Sequence, residues 1–258
     1  MESVKETRIC RRFSRALTTY NQYAEAQQII CRHLATLLST YTDNRFGRVL
    51  EIGCGSGGFT RLLQAGCQID EWVINDLCPD CAPVIQSLFP DASRPVDFQA
   101  GNAEKRSFPG KYHLIASASA FQWMDDLPVF FEKLAGHLTG GGYLLFNTFA
   151  PDNLTEIRQL TGQGLNYPST DQLKTWLLPH FRLLHVEETT IRLTFPSPED
   201  VLRHLKYTGV TATGSAQPWT RRIQSEFCRR YRDLFPTEHH QVTLTYRPVY
   251  LLGVKKEN

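Results

Sequence analysis

Apolar or aromatic side chains at Phe13, Leu17, Tyr20, Ala24, Ile30, Leu34, Leu37, Leu38 and Tyr41 recur at intervals of mostly three, four and seven. That rhythm predicts amphipathic helix over 10–41, in two pieces broken near Asn21. Beyond it the pattern changes to short apolar runs, and 48–52, 71–75, 96–99, 112–119 and 141–149 read as strands. Helical segments are predicted between most of them, near 57–65, 80–89 and 127–138. Alternation of this kind builds right-handed βαβ units, hence an α/β protein with a parallel sheet and helices on both faces.

After Pro151 the pattern loosens. Short helices are predicted at 153–160 and 170–178, extended chain over 181–195, and a helix over 196–209. That helix opens with Ser197 as its cap, Pro198 at the first helical position and Glu199 in the first turn. Another helix is predicted over 219–235, and "VTLTYRPVYLLGVKK" (242–256) as a closing strand. Pro248 cannot donate to a ladder, so a bulge or an edge is expected there. Residues 196–236 lie between the last two predicted strands and read as an insertion covering the sheet.

Composition narrows the setting without choosing a function. Apolar residues make up 41% of the 258 and charged residues 21%, with a net charge of +2. No strong field selects nucleic acid or an anionic membrane, and neither is expected as a partner. No apolar run approaches the roughly 20 residues that span a bilayer. The stretch "MESVKETRICRRFSRAL" lacks the apolar core of a signal peptide, so a cytoplasmic location is expected. Seven cysteines, an odd number, read as reduced thiols. Cys78 and Cys81 form a C-x-x-C pair, but zinc needs a second pair that does not recur, and no metal is expected.

The chemistry gathers in "VLEIGCGSGGFT" (49–60), where Gly53, Gly55, Gly57 and Gly58 follow an acid, Glu51. Strand, glycine loop and helix make a nucleotide-binding turn, with ligands held beyond the strand ends where strand order reverses. The glycines satisfy both the dinucleotide pattern and that for S-adenosylmethionine. Glu51 separates the two: a carboxylate there stabilises a cationic amino-acid tail but repels a pyrophosphate. Asp76, ending the second strand, can accept the ribose hydroxyls of either cofactor. Asn102, in "GNAE" (101–104), can accept from or donate to an adenine edge. No Tyr-x-x-x-Lys pair of the short-chain dehydrogenases is present. The balance favours S-adenosylmethionine.

With "INDLCPD", "GNAEKRSF", "YHLIASASAFQWMDD" and "LTGGGYLLFNTF", the chain resembles the class I S-adenosylmethionine-dependent methyltransferases. The resemblance implies a Rossmann-like fold with a mostly parallel seven-stranded sheet. It assigns Gly53 and Gly55 to the methionine moiety, Asp76 to the ribose, and Asn102 with Ala103 to the adenine. Cys54, Gly57, Leu77 and Ser117 complete the expected cofactor set with Glu51. Asn102 stands where the family more often has Asp, and His113 where an Asp is common. The expected organisation is one domain: an N-terminal helical cap over 1–45, a cofactor-binding core over 46–150 and a substrate-side half over 151–258.

Segments 11–27, 117–123, 202–214 and 244–254 are similar, more narrowly, to the biotin-pathway malonyl-acyl-carrier-protein O-methyltransferases, which esterify the free carboxylate of a malonyl thioester. Such a carboxylate is ionised at pH 7, given carboxyl pKa values near 4. It needs no general base. What it needs is alignment, contributing about 7–11 kcal/mol when good, and exclusion of water. An aromatic and apolar pocket with at most one cation is therefore expected. Phe121, Gln122 and Trp123 stand past the fourth strand, and Tyr20 and Tyr23 can fold over the cofactor. Arg203 or Lys206 is the candidate cation, with Gly209 turning the chain against the thioester arm. Acyl carrier protein is acidic, so "RRFSR" (11–15) and the helix bearing Arg221, Arg222, Arg229, Arg230 and Arg232 are candidate docking surfaces. The rival readings are a small-molecule carboxylate or quinone-precursor methyltransferase, an NAD-dependent oxidoreductase, and a binding protein that keeps the pocket without the chemistry.

Overall fold

The computed structural model describes residues 4–17, 19–91, 96–209 and 220–257. Three helices come first: α1 (Val4–Ala16), α2 (Tyr20–Tyr23) and α3 (Glu25–Tyr41). The core follows as β1 (Arg45–Ile52), α4 (Gly58–Gly66), β2 (Gln68–Asp76), α5 (Ala82–Gln86), β3 (Val96–Ala100), β4 (Tyr112–Ser117), α6 (Leu127–His137) and β5 (Leu138–Phe149). The remainder is α7 (Thr155–Thr161), α8 (Thr170–Leu177), β6 (Phe181–Glu188), β7 (Ile191–Phe195), α9 (Pro198–Tyr207), α10 (Arg221–Leu234), β8 (Val242–Tyr246) and β9 (Pro248–Lys255).

Seven strands form one sheet in the order β3-β2-β1-β4-β5-β9-β6. The first five are parallel, and β9 runs antiparallel to both β5 and β6. Strand order reverses between β1 and β4, which sets the ligand crevice at their carboxyl ends. Successive side chains of a strand point to opposite faces. Val49, Ile74, Leu114 and Leu145 therefore join α3 and α4 in one core, while Leu50, Val73, Ile115 and Leu144 join α6 and α8 in the other. A sheet covered on both faces explains why its strands read as apolar runs rather than alternations.

The structure differs from the sequence reading in three places. The N-terminal helix begins at Val4 rather than 10, and a third, short helix, α2 (Tyr20–Tyr23), covers the expected break near Asn21. The extended chain of 181–195 is two strands, as is that of 242–256. β7 and β8 pair with each other, Ile191 opposite Tyr246 and Phe195 opposite Val242, in a separate two-stranded sheet. Pro248 is neither at a bulge nor on an edge. It opens β9, an interior strand, at the step from one sheet into the other. The first residue of a strand tolerates a missing donor, and the Pro248 carbonyl still accepts from Thr189 N at 3.0 Å.

The insertion between β6 and β9 thus carries the β7–β8 pair together with α9 and α10. The α9 cap is as expected: the Ser197 hydroxyl accepts from Asp200 N at 3.2 Å. Residues 210–214, which end the 202–214 segment, and residue 219, where the next helix is predicted to start, lie outside the described residues. On the other flank, His33 of α3 and His185 of β6 both meet Glu187 Oε2, at 2.7 and 3.2 Å. These ligand-type atoms lie within 4.8 Å of one another, but they are already spent on each other, fastening α3 to the sheet edge.

Candidate active site

The strand ends converge where order reverses. Asn75 accepts at its carbonyl from Gly53 N and Cys54 N, at 2.8 and 3.2 Å, binding the glycine corner to β2. Its side-chain amide donates to Gln99 O and Gly101 O, at 2.7 and 2.9 Å, setting the turn after β3. Asn147 of β5 accepts from Ser119 N at 2.8 Å, setting the turn after β4. Over these corners lie α1, α2 and α3, and between them is a cavity of about 380 Å³.

Its walls fit an adenosyl sulfonium with an amino-acid tail. Gly53 has φ +76°, and a Cβ there would meet the Ala120 Cβ at 2.3 Å. Gly55 has φ +52° and a Cβ would meet nothing within 4 Å, so a ligand can lie directly on that backbone. Asp76 holds Gly55 N and Cys78 N, each at 2.8 Å. Burial pushes its carboxyl upward, against those hydrogen bonds. A carboxylate has about four acceptor sites, and beyond the two amides Asp76 meets only the weakly donating thiols of Cys54, Cys78 and Cys81, which ribose hydroxyls would replace. Behind the corner Glu51 is 1% exposed with Oε2 unpartnered. Burial raises it to about 7, with Thr60 opposing and the Asp76 charge adding. A buried acid short of a partner suits a cationic tail.

Most of the expected cofactor residues reach the cavity: Gly53, Cys54, Gly55, Asp76, Leu77, Asn102 and Ala103 all line it. Gly57 does not; it caps α4 at φ +74° with Leu88 against its Cα face. Glu51 and Ser117 lie behind the wall, and Ser119, two residues on, takes the lining position. Asn102 lines the cavity, but its side chain is committed elsewhere. Its Nδ2 donates to Glu6 Oε1 at 2.6 Å and its Oδ1 accepts from Glu104 N at 2.8 Å.

The expected transfer residues divide. Tyr20 and Trp123 line the cavity, and Gln122 with both of them lines a smaller chamber of about 30 Å³ beside it. Phe121 is instead fully buried, stacked on Phe146 at 4.6 Å and packed against Phe130. Tyr23 packs on Tyr207 at 4.6 Å and fastens α2 to α9. Arg203 and Lys206 line neither space. Arg203 is half exposed and paired with Asp200 at 2.6 Å, and Lys206 lies 5.9 Å from the Tyr207 ring centroid. On α9 it is Val201, His204 and Leu205 that turn inward, which leaves residues 203 and 206 on the outside. Gly209 is left-handed, at φ +72°, and carries the backbone past Phe13.

Sequence reading missed the contribution of α1. Glu6, Ile9 and Phe13 line the cavity from its inner face, and Glu6 also receives Lys105 Nζ at 2.6 Å. Lys5 donates to Trp123 O at 3.0 Å and pairs with Asp125. Gln27, Tyr167 and Tyr246 were missed as well. Only the i, i+3, i+7 spacing of Glu6, Ile9 and Phe13 signalled an inward stripe.

Comparison with known proteins matches this geometry. Residues 22–210 match the family described as a methyltransferase domain. A malonyl-[acyl-carrier protein] O-methyltransferase of Porphyromonas gingivalis is 46% identical over 98% of this chain and 97% of its own. One from Haemophilus ducreyi is 44% identical over 99% of each. Among solved structures, the YcgJ protein of Bacillus subtilis shares the backbone fold, with a TM-score of 0.62 at 17% identity over 88% of this chain and 100% of that one. The glycine corner over an acid-lined cavity, matched along nearly the whole length of these relatives, means that the chain belongs to the S-adenosylmethionine-dependent methyltransferases, in the malonyl-[acyl-carrier protein] O-methyltransferase family.

Proposed function

We propose that this enzyme methylates the free carboxylate of a malonyl group carried as a thioester on acyl carrier protein, and that the small chamber beside the cofactor cavity receives that carboxylate. When bound, S-adenosylmethionine supplies an electrophilic methyl carbon, to which a carboxylate oxygen bonds as the carbon–sulfur electron pair returns to sulfur. The chain's own task is placement and drying. Gly53, Gly55 and Asp76 would hold the donor at the strand ends, and Tyr20 and Trp123 stand where the two spaces adjoin. Phe13, Phe149 and the ring of Tyr246 exclude water, which strengthens the attraction between an anionic acceptor and a cationic donor.

The observation that carries the reading is a chamber adjoining the donor cavity whose lining, among the described residues, has no Asp, Glu, His or Lys to act as a base. An acceptor methylated there arrives already ionised. Outside, Arg8, Arg11 and Arg15 follow one another along the exposed face of α1, while Arg221, Arg222 and Arg230 are exposed on α10. Arg229 and Arg232 are occupied by Glu226, Asp233 and Glu199. Those exposed arginines suit an acidic carrier. Mass spectrometry of malonyl-acyl carrier protein incubated with S-adenosylmethionine is expected to show one added methyl group. Equal turnover of free malonate would move the enzyme to the small-molecule class instead.

A further inference from the structure

The smaller chamber has a donor set that its own fold does not use. At about 30 Å³ it holds roughly two waters at ~10–15 Å³ each, the bulk of two carboxylate oxygens. Four of its lining residues carry a buried polar atom without a partner among the described residues: Gln27 Oε1, Ser119 Oγ, Gln122 Oε1 and Trp123 Nε1; Gln27, Ser119 and Trp123 also line the larger cavity, so the group sits where the two spaces adjoin. Buried polar atoms are costly when left unpaired, so their gathering at one place marks a ligand. Two of them, the Trp123 indole N–H and the Ser119 hydroxyl, can donate. Tyr167 adds a third donor, because its oxygen accepts from Asn153 Nδ2 at 3.1 Å and its proton stays available.

The electrical character of this wall is equally informative. Among the described residues, none that lines the chamber is a Lys, Arg or His. Burial pushes the Tyr20, Tyr167 and Tyr246 phenols upward, so they remain neutral donors. One imidazole, His204, stands against Tyr246 with Nε2 2.7 Å from its hydroxyl. It too is neutral at pH 7, because burial lowers it to about 4.

We propose that the acceptor carboxylate is held by neutral hydrogen-bond donors alone, Trp123 Nε1–H and the hydroxyls of Tyr167 and Ser119, with no cationic partner from the protein. The inference rests on the carboxylate-methylation reading above and deepens it. Methylation removes the acceptor's charge. A fixed buried cation would stabilise the carboxylate ground state and then be left unpaired against a neutral ester, a penalty that slows both transfer and release. Neutral donors orient the anion, remain satisfied by the ester carbonyl, and let the product go. They also discriminate: an amide in place of the carboxylate brings one fewer acceptor oxygen to the same donors.

The test uses the full-length enzyme and malonyl-acyl carrier protein. Trp123→Phe and Tyr167→Phe each remove one donor while keeping a ring. Each is expected to lower kcat/KM at least tenfold, and the double variant more. Calorimetric affinity for S-adenosylhomocysteine should change by less than threefold in Tyr167→Phe, whose residue lines only the small chamber, and this separates a lost donor from a lost fold. Arg203→Gln and Lys206→Gln should leave kcat/KM within twofold. A wild-type enzyme inert on malonyl-acyl carrier protein would defeat the functional reading itself. With an active wild type, unchanged kcat/KM in both aromatic variants, or a tenfold loss in either cation variant, would overturn the neutral seat alone.

Discussion

Gly53 shows how little freedom a single position has at this site. Its positive φ acts together with the crowding by Ala120, whose Cβ would lie 2.3 Å from any Cβ added at residue 53. Gly53→Ala is expected to cost about 1–3 kcal/mol of stability and to abolish S-adenosylhomocysteine binding, read by thermal unfolding and calorimetry. Two titrating groups pull stability in opposite directions. Burial lowers His204 from 6.5 to about 4. Its contribution is complete above pH 6.5 and is lost as pH falls toward 4, since the folded state resists the proton. Burial raises Glu51 from 4.5 to about 7. Its contribution is complete below 4.5 and is lost as pH rises through 7. Urea midpoints measured across pH 4–8 should therefore flatten on the acid side in His204→Gln and on the neutral side in Glu51→Gln. Ionised Glu51 favours a cationic tail, so wild-type S-adenosylhomocysteine affinity should weaken as pH drops below 7, with proton release on binding. Glu51→Gln should bind more weakly at pH 8 and lose that dependence. These residues were legible to different degrees: the glycines and Asp76 from spacing, but the committed side chain of Asn102 only from its contact with Glu6, 96 positions away.

At the scale of elements, α1 does two jobs on two faces. Glu6, Ile9 and Phe13 face the cavity, while Arg8, Arg11 and Arg15 face outward. Reversing the outer charges, as in Arg11→Glu with Arg15→Glu, is expected to lower kcat/KM for malonyl-acyl carrier protein several-fold at low salt. The loss should shrink as salt rises, because exposed charges act mainly on association. Turnover of malonyl-CoA should be unchanged, so the ratio of the two substrates is the measurement. α9 shows why a helix can be foreseen when its orientation cannot. Ser197, Pro198 and the first-turn acids announce its start. Which stripe faces inward depends on what it packs against, and the choice of Val201, His204 and Leu205 leaves Arg203 and Lys206 outside. Likewise, 181–195 and 242–256 have the composition of continuous strands, and only their pairing partners divide them.

Across the whole molecule, the cavity joins the strand corners to a roof made of the N-terminal helices. A ligand bridging both should tie their stabilities together. S-adenosylhomocysteine at 100 times its Kd is expected to stabilise the fold by about 2.7 kcal/mol, and NAD at equal concentration should not. Amide exchange should slow in α1 as well as at residues 53–57, whereas protection confined to the glycine corner would deny the helices a part in binding. By itself the sequence determined the alternation of strands and helices, the sharp glycine corner and the acids beside it. These are local properties, set by side-chain period and by the backbone angles that glycine alone adopts readily. Tertiary structure alone decided that β9 enters between β5 and β6, that α1 closes the cavity, and that Trp123 and Tyr167 share a chamber without a cation among the described residues. Those outcomes join positions tens to hundreds of residues apart, where mutual packing of faces, not the rhythm of any one segment, selects the partners.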